Sequence, residues 1–312
     1  MRQHPEGANG TRVGAAPAGD RVAISVVIPS FNREQLIARQ LAALAAQRWD
    51  GEWEVIVADN GSTDHTVAVV ESFRDRLPAL RVVDASDHRG AGHARNVGAR
   101  AARGACLLFV DDDDEVQSGW LAAMAAALER HDFVACATDY ELLNPTALAR
   151  ARGEPQRWNL LRASYPPHLL FAGGCGLGVR RELHERVGGF DESLPVTQDN
   201  DYCYRIQLTT GKELQFVPEA LIAVRCRDDG AGMFRQSVLW AKYHVLLYKR
   251  YRPRGARIER AWRLYLYHWK EWLLAVARAR TREELAVQAW RFGWLAGQLI
   301  GAVAYLTTPI PE

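Results

Sequence analysis

Between Val22 and Val110 the chain alternates short, unbroken apolar runs with longer stretches in which apolar residues recur every three or four positions. These runs are VAISVVIP (22–29), β-branched and closed by a proline, WEVIVA (53–58), LRVVD (80–84) and ACLLFV (105–110). The first two lack the in–out alternation of a half-exposed strand, so they predict strands buried on both faces, and the other two read as further strands. Between them, Glu34 to Arg48 carries Leu36, Ile37, Leu41 and Leu44 at helical spacing, and His65 to Arg76 and Ala91 to Ala102 read as further helices. This order predicts an α/β fold with a mainly parallel sheet flanked by helices. Ligands of such sheets bind beyond the carboxyl ends of the strands. Here the first, second and fourth strands end in PSFNRE, DNGSTD and DDDDE, so three polar clusters are expected on one crevice.

Beyond Glu115 the pattern loosens. Trp120 to Arg130 reads as an Ala-rich helix and Phe133 to Thr138 as a strand, and residues 144–168 are irregular. The four glycines of FAGGCGLGV (171–179) suggest backbone passing close to a ligand or to another segment. A helix over Arg181 to Val187, closed by Gly188 and Gly189, precedes one from Asp199 to about Thr209, and Leu214 to Val224 holds further strand-like pieces. From Met233 on the chain reads as helical and aromatic, with five of its ten tryptophans from Trp262 onward. Residues 1–21, rich in Gly, Ala, Pro and Arg without periodicity, read as a disordered leader.

With 312 residues, 48% hydrophobic and 24% charged, the chain has room for one large domain with an appendage or for two domains. A net charge of +2 gives no case for a nucleic-acid partner. Charge is uneven, however: Arg225 to Arg260 holds 10 Lys or Arg against 3 acidic residues. That surplus suits an anionic lipid surface, a phosphate-bearing acceptor or simply a solvated helix face. Five cysteines without a C-x-x-C pair exclude a zinc ribbon and a dithiol redox motif, and read as reduced thiols. With no signal-peptide pattern and no run of roughly 18 to 20 apolar residues, the expected location is cytoplasmic, peripheral membrane contact through the C-terminal region remaining open.

The chemistry concentrates in LLFVDDDDEV (107–116), where five carboxylates follow a buried strand. Like charges so close repel, and a hard divalent cation bound by carboxylate oxygens relieves that repulsion. If the extended path persists, Asp111 and Asp113 share a face. A solvated acidic loop has the same composition. Asp199, near a helix start in TQDNDYCYR, suits either an N-terminal cap or a general base. GAGHARNVG has Arg95 where a dinucleotide fingerprint needs its third glycine, and does not follow the first strand, which excludes a dehydrogenase. Neither a G-x-S-x-G elbow nor a phosphate-binding P-loop is present. His65, His88 and His93 read as surface residues, His88 near the site.

Taken in order, SVVIPSFNRE, VIVADNGSTDHT, GAGHARNVGARAARGACLLFVDDDD and VGGFDESLPVTQDNDYCYRI resemble the blocks of an inverting glycosyltransferase of family 2, of bacterial type, with the GT-A fold. The resemblance implies a Rossmann-like GT-A domain over 22–230, with a nucleotide-sugar half (22–115) and an acceptor-side half (116–230), and a helical, basic and aromatic region over 231–312. It implies that Pro29, Phe31 and Arg33 line the nucleotide base, that Asp59 or Asn60 reads its edge and ribose, and that Arg95, Asp111 and Asp112 contact the nucleotide sugar. Mg²⁺ or Mn²⁺ would sit on Asp113 with Asp111, or on Asp114 after a one-residue slip. Asp199 would deprotonate the acceptor hydroxyl, with Gln198, Arg225, Arg227 and Gln236 on the acceptor side. The donor would be UDP-, dTDP- or GDP-linked, and the acceptor a glycan, a lipid-linked glycan or a small-molecule hydroxyl. Two departures stand out. Asn60 replaces a frequent acid, leaving the donor base open. Gln198 replaces a glutamate, which removes a negative neighbour and lowers the pKa of Asp199 relative to the usual pair. These changes admit an inactive nucleotide-binding regulatory module; a nucleotidyltransferase would use the same crevice without needing Asp199.

Overall fold

The computed structural model describes residues 24–77, 79–146, 149, 155–227, 230–253 and 261–310; the expected leader lies outside the described residues. The four apolar runs form β1 (Ile24–Ser30), β2 (Trp53–Asp59), β3 (Arg81–Asp84) and β4 (Cys106–Phe109), which pair in parallel in the order β3-β2-β1-β4. Every residue of β1 and β4 is buried, as unbroken apolar runs require. The sheet continues through β9 (Leu177–Arg180), β6 (Phe133–Asp139), β10 (Gln215–Ala223) and β5 (Glu115–Val116) to eight strands. Only β9 and β5 run antiparallel to their neighbours, so the sheet is mainly parallel. Leu214 to Val224 thus makes one long strand rather than pieces; its register shifts between Val217 and Leu221, around Pro218, which has no N–H to give the ladder.

Helices α1 (Ile37–Ala45), α2 (Thr66–Glu71), α3 (Ala91–Ala101) and α4 (Trp120–Arg130) cover the two faces. One core gathers Val26, Val55, Leu108, Trp120 and Met124, the other Val27, Phe109, Phe133 and Tyr202. The segment expected as a helix through Arg76 is shorter: after Glu71 the bonds tighten to i→i−3 (Phe73 N to Val70 O, Arg76 N to Phe73 O) and the chain turns. Two short strands, β7 (Leu161–Arg162) and β8 (Leu170–Phe171), pair in the irregular segment. Helix α5 (Arg181–Arg186) and helix α6 (Gln198–Thr210) follow.

The C-terminal region forms α7 (Gly230–Tyr251), α8 (Ala261–Arg278) and α9 (Arg282–Ala304). Gly293, Gly297 and Gly301 recur every four residues and make one face of α9 flush against α7. A Cβ at Gly301 would lie 2.8 Å from the Lys242 carbonyl oxygen, and one at Gly297 would overlap that of Val238. The end of α7 is tied to α6 by Asp201, which is fully buried and accepts from Arg205 Nε (2.7 Å), an Arg250 guanidinium N–H (2.6 Å) and Tyr251 Oη (2.6 Å). Among the described residues no helix is long and apolar enough to cross a membrane. Replacing Gly297 by Val should force α9 off α7 and cost about 1–3 kcal/mol, the range for overpacking a close contact, read as a lowered midpoint in thermal or urea unfolding.

Candidate functional site

A cavity of about 1570 Å³ opens where β1, β2 and β4 end, walled by Pro29, Phe31, Arg33, Asn60 and Asp111 to Asp113. Phe31 is 41% exposed, and the Arg89 guanidinium stacks 4.2 Å over its ring, so the pair forms one flat wall of a slot in the cavity. Arg89 was not singled out by the sequence. Asn60 borders the slot, but its amide is engaged in holding the 85–90 loop. Its Nδ2 donates to the Ala85 and His88 carbonyls (2.5 and 2.7 Å), and its Oδ1 accepts from Gly90 N (2.9 Å). It therefore shapes the slot without a free edge to read a base. Asp59 does not line the cavity: both its oxygens accept from Ser62 N and close the turn after β2.

The acidic stretch departs from the expected extended path. The strand ends at Phe109 and the chain turns through Asp112 to Asp114, so alternation is lost and residues three apart meet. Asp111, Asp114 and Cys175 bring one ligand atom each within 4.8 Å of one another; Asp113 is outside this group. Asp113 instead faces Arg33 (3.6 Å), and Asp112 accepts from Phe31 N (3.3 Å) beside the Arg33 Nε (3.4 Å). Arg225, expected on the acceptor side, does not line the cavity. It staples the turn: its N donates to Asp114 (2.9 Å), its Nε to the Asp113 carbonyl and a terminal N–H to Glu115 (3.1 Å).

Burial sets the proton affinities here. It pushes Asp112 up to about 7, helped by Asp113 and opposed by Ser30 and Arg33. Burial, then the repulsion of Asp111, raises Asp113; burial with Asp111 and Asp113 raises Asp114 well above the usual carboxylate range. The Cys175 thiol is also pushed well up by burial, so it stays protonated and donates to Asp114. Two carboxylates converging with a protonated thiol behind them fit a hard divalent cation, which takes oxygen ligands and whose charge would reverse these upward shifts.

Across the cavity stands Asp199, in the first turn of α6. Its Oδ2 accepts from Gly174 N (2.9 Å) and its Oδ1 from Asn200 N (3.0 Å), so it serves one helix amide and one loop amide. Burial raises its pKa, the field of Arg95 opposing and that of Asp111 assisting. Arg95 is buried and bonded to Asp111 Oδ1 (2.5 Å), with Nε and one terminal nitrogen lacking partners. A Cβ at Gly174 would sit 2.9 Å from the Arg95 guanidinium. The glycine run thus meets both a side chain and the cavity. Gln198, Arg227 and Gln236 also line the cavity. His65 and His88 are exposed, but His93 is 4% exposed and clasped between Glu192 and Asp87, each 2.7 Å away. Its two carboxylate partners, distant in sequence from each other, are what make its burial possible.

Residues 25–188, just over half the chain, match the family described as glycosyl transferase family 2. Over 108 residues the chain is 37% identical to poly(ribitol-phosphate) beta-N-acetylglucosaminyltransferase TarS of Staphylococcus aureus, covering 34% of this chain and 19% of TarS. The chain spans about a fifth of the length of the first curated relatives it matches. Among solved structures it is similar to mannosyltransferase PcManGT from Pyrobaculum calidifontis in complex with GDP-Man and Mn²⁺, with TM-score 0.61, 20% identity and coverage of 91% of this chain and 88% of that one. TarS 1–349 in complex with UDP-GlcNAc gives TM-score 0.54, 18% identity and coverage of 91% and 92%. These likenesses establish the GT-A fold.

The acidic turn makes a prediction for the cation-free protein. Folded Asp112 holds its proton up to about pH 7, whereas an unfolded aspartate releases it near ~3.9. The unfolded chain binds fewer protons across that window, so the stability that Asp112 contributes should be lost as pH rises from about 4 to about 7. Urea unfolding of chelator-treated protein checks this, and Asp112→Asn should flatten the decline.

Proposed function

The chain belongs to glycosyl transferase family 2, and from that premise we propose that it moves a sugar from a nucleoside-diphosphate donor to an acceptor hydroxyl with inversion. One observation carries the reading: Arg95, ion-paired to Asp111 on the strand side, also exerts its field on Asp199 on the helix side, so one buried cation acts on carboxylates of two walls of one cavity.

In this reading the donor base lies against the exposed Phe31–Arg89 stack and the diphosphate lies toward Asp111 and Asp114. A divalent cation, Mg²⁺ or Mn²⁺, held there would offset the diphosphate charge as it leaves. Arg33 and Arg95 add fixed positive charge on the same side. Asp199 accepts the proton of the acceptor hydroxyl while its oxygen bonds to the anomeric carbon. The bond to the diphosphate breaks on the opposite face, so a single displacement inverts that centre. The raised pKa of Asp199 suits a base, and the Gly174 amide fixes the carboxylate for the transfer. Loss of a neighbouring acid at Gln198 moderates the rise without cancelling burial.

We further assign residues 22–115 to the donor, 116–230 to the acceptor side and 231–312 to a helical extension. The protein is proposed to work in the cytoplasm, at a membrane face. Leu266, Tyr267 and Leu273 on α8 are 64%, 53% and 59% exposed, beside the basic side chains of Arg263 and Lys270.

Three outcomes are expected. Thermal shifts with UDP, dTDP and GDP should show stabilisation by one of them only when Mn²⁺ or Mg²⁺ is present; a metal-independent shift, or none, would sink the donor assignment. Asp199→Asn should keep nucleotide affinity and lower transfer by roughly 10²–10⁴-fold, measured as release of nucleoside diphosphate. Sedimentation with phosphatidylserine vesicles should carry down the full chain but leave a Leu266→Glu, Leu273→Glu variant in solution; equal partitioning would end the membrane assignment.

A further inference from the structure

The cavity does not stop at the donor side. Its volume of about 1570 Å³ exceeds the roughly 300–1,000 Å³ typical of a single small ligand. The excess is bordered by a continuous aromatic wall that starts on the helix bearing Asp199. Tyr204 of α6 meets Phe171 of β8 (5.9 Å between ring centres), Phe171 meets His244 of α7 (6.4 Å) and His244 meets Trp294 of α9 (5.2 Å). Trp294 meets Trp290 (6.5 Å), which meets Trp240 of α7 (5.8 Å), and all six rings line the cavity.

One residue of this wall has unmet chemistry. Gln298 lines the cavity, is 3% exposed, and its Oε1 accepts no hydrogen bond within the described residues. It follows Trp290 and Trp294 at four-residue spacing, so the three share one stripe of α9, next to the glycine stripe that packs on α7. An orphaned carbonyl so deep costs free energy unless a ligand donates to it.

We infer that this wall is the acceptor subsite and that it takes a neutral glycan, with the apolar faces of pyranose rings against the indoles and a hydroxyl donating to Gln298 Oε1. A sugar ring presents both features at once: an apolar face and a hydroxyl edge. A polyprenyl tail would leave the Gln298 carbonyl unpartnered in an apolar sleeve. The wall itself is uncharged at neutral pH, since burial pushes His244 down to about 4. Of the charged residues that line the same cavity, Glu271 and Arg291 on α8 and α9 are exposed and opposite in sign, and Arg162 and Arg227 are exposed. The role of acceptor, as distinct from the class of ligand, rests on the transferase reading of Asp199.

Tryptophan fluorescence of the full chain with Mn²⁺, titrated with maltotriose, cellotriose and triacetylchitotriose and separately with a short-chain polyprenol, tests this. At least one trisaccharide should quench saturably. Gln298→Met, which keeps the shape, should weaken that binding by roughly tenfold, and Trp290→Leu should do likewise if Gln298→Met fails to fold. Affinity for UDP or GDP should stay unchanged in either variant. Polyprenol binding in place of sugar, or no quenching by any trisaccharide while a nucleoside diphosphate still binds, overturns the inference. Trisaccharide quenching that Gln298→Met weakens supports the wall even if no nucleoside diphosphate binds; that failure would count against the transferase reading alone.

Discussion

Repulsion among the carboxylates of Asp111 to Glu115 is the constraint to which the rest of the site answers. Two unit charges 4 Å apart interact by about 4 kcal/mol at an effective dielectric near 20, more than a surface loop gains from any single contact. The fold meets this by giving every one of these aspartates a donor, Arg33 being shared by two of them. Arg95 takes Asp111, Phe31 N and Arg33 take Asp112, Arg33 takes Asp113, and Arg225 N with the Cys175 thiol takes Asp114. These partners come from α3, from the loops after β1 and β10, and from the glycine run before β9. Closing the turn therefore requires β1, β4, β9 and β10 in place, and burial first, with mutual repulsion second, still holds Asp112, Asp113 and Asp114 above the usual carboxylate range.

Elements with a strong local cause were legible in the sequence. Short apolar runs located β1, β2, β3 and β4 within one or two residues, and the strand-end rule brought residues of PSFNRE, DNGSTD and DDDDE to one cavity. What failed were inferences that depend on partners far away along the chain. Whether Asp113 or Asp114 meets Asp111 is decided by a turn that Arg225, 111 residues later, pins through Asp114. Asn60 looked like a reader of ligand edges because its three neighbours in the 85–90 loop are invisible in a linear pattern. His93 looked like a surface residue because Asp87 and Glu192 converge on it only after folding. Cys175 lay inside a glycine run already read as a close approach, so the signal was there for the backbone but not for the thiol. The glycine spacing of α9 was a readable signature of close helix packing that charge and tryptophan counts obscured.

The C-terminal helices are bound into the catalytic half through polar contacts rather than through a broad apolar face alone. Asp201 lies two residues beyond Asp199 on α6 and is wholly buried, yet its partners include Arg250 and Tyr251 from the end of α7. A buried carboxylate stripped of such partners is costly, so the seating of α7 and the placement of the first turn of α6 are energetically linked. Because α9 packs flush on α7 through Gly293, Gly297 and Gly301, that linkage extends to Trp290 and Trp294. The acidic turn and the aromatic wall are thus joined through packed elements: Arg95, bonded to Asp111, packs against Gly174, whose amide holds Asp199, α6 carries Asp199 with Asp201, and Asp201 ties α6 to α7. A shift at either end must be absorbed by the buried charges between them, which tolerate little movement, so the acidic turn and the aromatic wall are held at a fixed separation across the cavity.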